Sequence, residues 1–247
     1  MKFTILYFDA LDSTNTEALN QAKRGADEGL CVVARQQTAG RGRHGRVWIS
    51  EKDAGLYFSL VLRPTIENRF LPLLTLMSAV AVFDVLKDVY ALEPDIKWAN
   101  DIHVNERKIA GILAEMTETK SGLAIVVGIG INLQSMNFPP ELVDSATSIA
   151  EETSNKPQSK ILLENLTEKL NFYYEMLNGE RGAERIRREW ARRSSYHEGR
   201  RVTVKLPNET FNGATRGIEE NGALRVETET GEIKIVQAGD VERLRKV

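Results

Sequence analysis

Residues 95–133 read DIKWANDIHVNERKIAGILAEMTETKSGLAIVVGIGINL, and how this stretch divides decides the fold. Its apolar runs IHV, KIAGILAEM and GLAIVVGIGINL are rich in β-branched residues, and NERK between the first two reads as a turn. No segment between these runs has room for a helix. Strands that follow one another directly point to a mixed, largely antiparallel sheet rather than a doubly wound parallel one.

Upstream, Phe70, Leu74, Met77, Ala81 and Val85 recur at helical spacing, which predicts an amphipathic helix over about residues 69–89 whose apolar positions are core. GLYFSLVL at 55–62 and GLCVVARQ at 29–36 read as strands on either side of a glycine–arginine loop. DSTNTEALNQAKRG at 12–25 reads as a helix, with Thr14 and Glu17 in capping-box spacing and Gly25 as its stop, and FTILYF before it as a first strand.

Downstream, KILLENLTEKLNFYYEML after Ser159 and AERIRREWARRSS after a glycine break are helical. Near Gly199 the period changes to short strands, RRVTVKL, ETFNGATRGI, GALRVET and EIKIVQ. Pro207-Asn208, Asn221-Gly222 and Thr230-Gly231 separate them, a pattern that fits a small barrel. The expected organisation is an α+β domain over residues 1–195 and a β domain over 196–247. Some fifty residues bury little core, so the second unit is expected to lean on the first.

Composition narrows the function classes. The 247 residues are 42% hydrophobic and 28% charged, as in ordinary folded proteins. A net charge of −2 argues against a general grip on nucleic acid or anionic membrane, so any basic site must be local. The lone cysteine, Cys31, rules out an internal disulfide and any multi-cysteine metal site, and its apolar surroundings fit a buried strand residue. The N-terminus reaches acidic residues too early for a secretory signal, and no apolar run approaches the roughly 18 residues of a membrane span. The cytoplasm is the expected compartment.

The basic site is the loop itself, GRGRHGRVWIS at 40–50. Arg41, Arg43 and Arg46 repel one another unless an anion neutralises them, and the glycines between them let backbone N–H groups approach such an anion. No Lys-Ser/Thr pair follows the glycines, as a phosphate loop needs, and although GRGRHG spaces its glycines as G-x-G-x-x-G, a basic loop leading into VWIS does not open a helix as a dinucleotide fingerprint must. A solvated basic turn remains the alternative. Other polar insertions also end apolar elements: DSTN at 12–15, KWAND at 97–101, RKIAGILAE at 107–115 and GIGINL at 128–133. Singly, each is explained by a helix cap, a turn, a bulge or a hairpin charge.

In this order, DSTN, QTAGRGRHGRVW, KWAND, RKIAGILAE, GIGIN and GRRVTV…GALRV resemble the biotin protein ligases over nearly the whole chain. Ala99, where the family has proline, and His44 in the loop depart from the commonest pattern. Because the catalytic motifs begin at the N-terminus, the chain resembles the group without a DNA-binding module. The resemblance implies a class II aminoacyl-tRNA synthetase/biotin synthetase-like catalytic domain with an SH3-like barrel. It also implies a two-step reaction, in which biotin and ATP give biotinyl-5'-AMP and pyrophosphate, and a carrier lysine then takes the biotin.

By that resemblance, Ser13, Thr14, Asn15 and Gln37 bind the biotin head, with Gly111 and Gly128 in the pocket wall. Arg41, Gly42 and Arg43 close over the valerate and adenylate, and Lys108 meets the carboxylate, so Arg41, Arg43 and Lys108 are the catalytic candidates. Arg43, Arg46, Trp48, Lys97, Asn100, Asp101 and Asn132 are assigned to the nucleotide, with Mg2+ arriving on ATP rather than on protein side chains. His44, His103 and His197 are too scattered to nominate a metal site. Trp98 reads as packing, and either Trp190 or no aromatic stacks on adenine. The expected partners are biotin, ATP and the biotin carrier domain of a carboxylase, without DNA or membrane, and a homodimer is left open. A lipoate or other acyl-carrier ligase, or a nucleic-acid-binding module, are the alternatives. The glycines and mutually repelling arginines predict a loop that is mobile until ligand orders it.

Overall fold

The computed structural model describes residues 1–136 and 138–243. Seven strands form the main sheet: β1 Thr4–Phe8, β2 Leu30–Ala34, β3 Gly55–Leu62, β4 Asp95–Lys97, β5 Asp101–Val104, β6 Arg107–Thr119 and β7 Gly122–Asn132. Their order is β1-β2-β3-β7-β6-β5-β4, and only β1 and β2 run parallel. Helix α1 (Thr14–Lys23) makes that single crossover, which parallel strands require. The mixed, largely antiparallel sheet read from residues 95–133 is therefore present, and Asn105 and Glu106, both at positive φ, make the tight turn between β5 and β6.

One face of the sheet is covered by α2 (Leu73–Tyr90), which packs in turn against α4 (Ser159–Asn178) and α5 (Gly182–Ala191). The expectation of an amphipathic α2 needs correction. Fourteen of its 18 residues are buried because the helix is the middle layer between sheet and helices. Its one buried carboxylate, Asp84, accepts hydrogen bonds from Tyr173 Oη at 2.5 Å and Arg193 Nε at 2.7 Å, which ties the three helical segments together. The short helix α3 (Ile149–Glu152) was not anticipated.

The capping box also fails to form. Ser13 is the N-cap of α1, and the Thr14 side chain turns away to Gln37 and Ser59 rather than to the helix N-terminus. Glu17 accepts from Gln21 instead.

The C-terminal unit is a five-stranded antiparallel sheet in the order β11-β10-β9-β8-β12, from β8 Glu198–Lys205, β9 Thr210–Ile218, β10 Leu224–Thr228, β11 Ile233–Val236 and β12 Asp240–Arg243. Strand β12 was missed by the sequence reading. The unit leans on the main body as its size requires. Trp98 Nε1 donates to the Gly222 carbonyl at 2.9 Å, and Leu224, Val226 and Val241 join the same apolar cluster as α2. Among the described residues, no helix is long and apolar enough to cross a membrane.

Candidate active site

A cavity of about 320 Å3 opens where the quoted motifs of the main sheet meet. Ser13, Thr14 and Asn15 reach it from the start of α1, and Gln37 from the segment after β2. Arg41, Gly42, Arg43, Arg46 and Trp48 reach it from the glycine–arginine loop. Lys97, Asn100 and Asp101 line it from β4 and β5, Lys108 and Gly111 from β6, and Gly128 and Asn132 from β7. Residues separated by up to 119 positions thus face one space. That size is in the range of small-molecule sites.

One end of the cavity is neutral and hydrogen-bonded. Thr14 N donates to Gln37 Oε1 at 2.8 Å, and Gln37 Nε2 donates to Ser50 Oγ at 2.8 Å. The Thr14 and Ser59 hydroxyls lie 2.8 Å apart, and Ser59 Oγ donates to Asn15 Oδ1 at 2.6 Å. Asn15 Nδ2 in turn donates to Leu113 O at 3.1 Å and Glu115 Oε2 at 2.7 Å. Both Asn15 amide protons are thereby used inside the protein. Ser13 is a buried residue, and none of these hydrogen bonds uses its hydroxyl.

The other end is cationic, and its arginines diverge rather than crowd. Arg41 pairs with Glu115 at 2.8 Å, Arg43 NH1 donates to Asn100 Oδ1 at 2.9 Å, and Arg46 pairs with Asp240 of β12. The backbone is laced as well: Trp48 N donates to Gly40 O and Gly42 N to Arg46 O, around a turn in which His44 and Gly45 have positive φ. Lys108 Nζ lies 2.7 Å from Asp101 and 5.3 Å from the Trp48 ring centroid. Burial lowers the pKa of Lys97 from the usual lysine value, although Asp101 opposes the shift. Burial, with Lys97 and Lys108 nearby, pushes His103 down to about 4, so its ring is neutral.

The glycines make room, and protein side chains fill it. A Cβ on Gly128 would stand 2.1 Å from Asn15 Oδ1, and one on Gly130 would stand 2.4 Å from the Trp48 indole. Gly111, the register partner of Gly130, would meet the same ring at 3.0 Å. Trp48 therefore lies flat on a glycine floor.

Trp190 is ruled out as a wall of the cavity: it is fully buried in α5, edge-on to His197. Phe138, Leu142, Ser145 and Ala146 also line the cavity. Sequence reading also missed Ser59, His103, Glu115, Asp240 and Glu242. Ser59 carried a signal, as the lone small polar residue in the fully buried strand GLYFSLVL, and Glu115 closes the quoted RKIAGILAE motif.

A mixed sheet that gathers a neutral polar pocket, a basic loop and a fixed lysine around one cavity suits a ligand with a neutral end and an anionic end. Comparison with known proteins gives the class. Residues 7–132 match the Biotin/lipoate A/B protein ligase family, and residues 197–244 match the Biotin protein ligase C terminal domain. The bifunctional ligase/repressor BirA of Bacillus subtilis strain 168 is 37% identical over 246 residues, covering 96% of this chain and 73% of the relative. A biotin–acetyl-CoA-carboxylase ligase of Mycobacterium tuberculosis is 33% identical over 244 residues, covering 94% and 86%. The solved Aquifex aeolicus biotin protein ligase, in complex with biotin and ATP, superposes with a TM-score of 0.83 at 29% identity over all of both chains. The chain belongs to the biotin protein ligase family.

Proposed function

We propose that this protein is an ATP-dependent biotin protein ligase, with residues 1–195 as the catalytic domain and 196–247 as the SH3-like domain that helps roof its nucleotide end. The observation that carries the reading is the single cavity with a neutral, hydrogen-bonding pocket at one end and Arg41, Arg43 and Lys108 at the other. Biotin has the matching form: a neutral ureido head, an apolar bicycle and a carboxylate.

In the first step a carboxylate oxygen of biotin attacks the α-phosphorus of ATP, and the bond to pyrophosphate breaks. Ser13 and Gln37, whose donors are not all used within the protein, face the ureido group, while Thr14 and Asn15 hold the pocket's shape. Tyr57, Phe58 and Ile112 offer apolar wall to the bicycle. Lys108 and the loop arginines offset the repulsion between two anions and stabilise charge growing on the phosphorane-like transition state. Asp101 and Asn100 orient Lys108 and Arg43 for this. Phe138 and Leu142 offer the adenine an apolar surface, with Arg46, Lys97 and Asn132 around the nucleotide.

Mg2+ enters as substrate with ATP, held mainly by phosphate oxygens. Among the described residues, no group of three His, Cys, Asp or Glu is placed to hold a metal ion. In the second step the carrier's lysine amine attacks the acyl carbon of the mixed anhydride, AMP leaves, and the surplus proton passes to solvent or phosphate. No protein nucleophile is needed. The acceptor is the biotin carrier domain of a carboxylase, the compartment is the cytoplasm, and closure of the loop shields the anhydride from water.

Pyrophosphate exchange into ATP tests the acid. Biotin should support exchange and lipoate should not. Exchange with lipoate alone would overturn the reading in favour of a lipoate ligase.

A further inference from the structure

The hydrogen bonds of the neutral pocket form a ring that begins and ends in the glycine–arginine loop. Gln37 Oε1 accepts from the Thr14 N–H and from Thr14 Oγ1, and Ser59 Oγ, 2.8 Å from Thr14 Oγ1, donates to Asn15 Oδ1. Asn15 Nδ2 donates to Glu115 Oε2, and the same oxygen receives Arg41 NH2. At the other end Gln37 Nε2 donates to Ser50 Oγ, and Ser50 Oγ donates to Trp48 O at 3.2 Å. The ring thus leaves the loop at Ser50, passes through the groups that line the head pocket, and returns at Arg41.

Glu115 is its only acidic link. Carboxylate oxygen Oε2 accepts from a buried amide and a loop guanidinium at once, whereas further along β6 Thr117 Oγ1 donates to Glu118 O, and Thr119 Oγ1 donates to Gly122 O and accepts from Arg63. Placed on rigid β6, it gives the loop an anchor on the sheet.

We propose that Glu115 is a positioning residue that couples occupancy of the head pocket to order in the glycine–arginine loop, by holding Arg41 against Asn15. A ligand that fixes Gln37 steadies, through Thr14, Ser59 and Asn15, the Glu115 carboxylate that accepts from Arg41, and the loop closes at lower conformational cost. The coupling rests on the proposal that the pocket takes biotin, whereas the tether itself does not.

Trypsin reads both, because cleavage after Arg43 tracks the population of open loop when opening is fast relative to cutting. In ligand-free protein Glu115→Gln, which keeps the acceptor for Asn15 and loses the charge facing Arg41, should speed that cut by about three- to fivefold, the range of a half-exposed ion pair. Arg41→Gln, an exposed loop change that leaves the core untouched, should speed it equally. In the Arg41→Gln background, Glu115→Gln should add nothing, which separates a tether from general loosening of β6. With saturating biotin, wild type should be protected and Glu115→Gln much less so, with its biotin affinity changed by less than about threefold, the size expected for a partial loss of one hydrogen bond. Wild-type cutting rates in Arg41→Gln, or additive effects in the double variant, would overturn the proposal. Wild type that neither binds biotin nor is protected by it would instead overturn the functional reading.

Discussion

Gly130 lies directly beneath Trp48, so closely that a Cβ would stand 2.4 Å from the indole Cε2 and 2.5 Å from Nε1. The contact links a strand at the middle of the sheet to the loop that covers the cavity. Gly130→Ala cannot be accommodated by a small shift, since the obstructing atoms belong to a rigid ring held between Gly111 and Lys108. Overpacking of this kind costs about 1–3 kcal/mol. Adenylate formation should fall roughly 10- to 100-fold, on that scale, and tryptophan emission should shift as Trp48 leaves its floor. Unchanged exchange kinetics would mean that the ring's seat is irrelevant to the reaction.

Lys108 is held by Asp101 over the same ring. Lys108→Gln keeps a hydrogen-bonding side chain and removes the fixed charge facing the carboxylate and α-phosphate. By the magnitude of other preorganised charges, adenylate synthesis should fall about 100- to 1000-fold. Biotin affinity, measured by titration calorimetry, should change far less. Equal losses in binding and synthesis would assign Lys108 to ground-state binding alone.

Trp98 tests the dependence of the C-terminal sheet on the catalytic domain. Trp98→Phe retains most of the buried ring and leaves the Gly222 carbonyl without its donor. The cost should be about 1–3 kcal/mol, at about 2–4 °C of Tm per kcal/mol for a chain of this length. A calorimetric scan with no change in Tm would show that the two units do not support each other through this bond.

Much of this was legible because the chemistry sits in short runs. Residues 95–133 declared a succession of strands, and the motif order carried all of the predicted site residues into one cavity. What escaped depends on partners far away in the chain. Nothing local says that the Thr14 hydroxyl serves Gln37 and Ser59 rather than a capping box, or that α2 lies between two layers and loses its polar face. Strand β12 has one buried apolar residue, Val241, and owes its pairing to β8 some forty positions earlier. The loop arginines looked mutually repulsive because their separate acceptors, Glu115, Asn100 and Asp240, come from three different elements.

The central claim is transfer of biotin to a carrier lysine through an adenylate. Incubating the protein with ATP, Mg2+, biotin and the biotin carrier domain of a carboxylase, followed by intact-mass and peptide mass spectrometry of the carrier, tests it directly. The account predicts one biotinyl addition, on one lysine, dependent on ATP. An unmodified carrier, alongside a control ligase that biotinylates the same preparation, would contradict it.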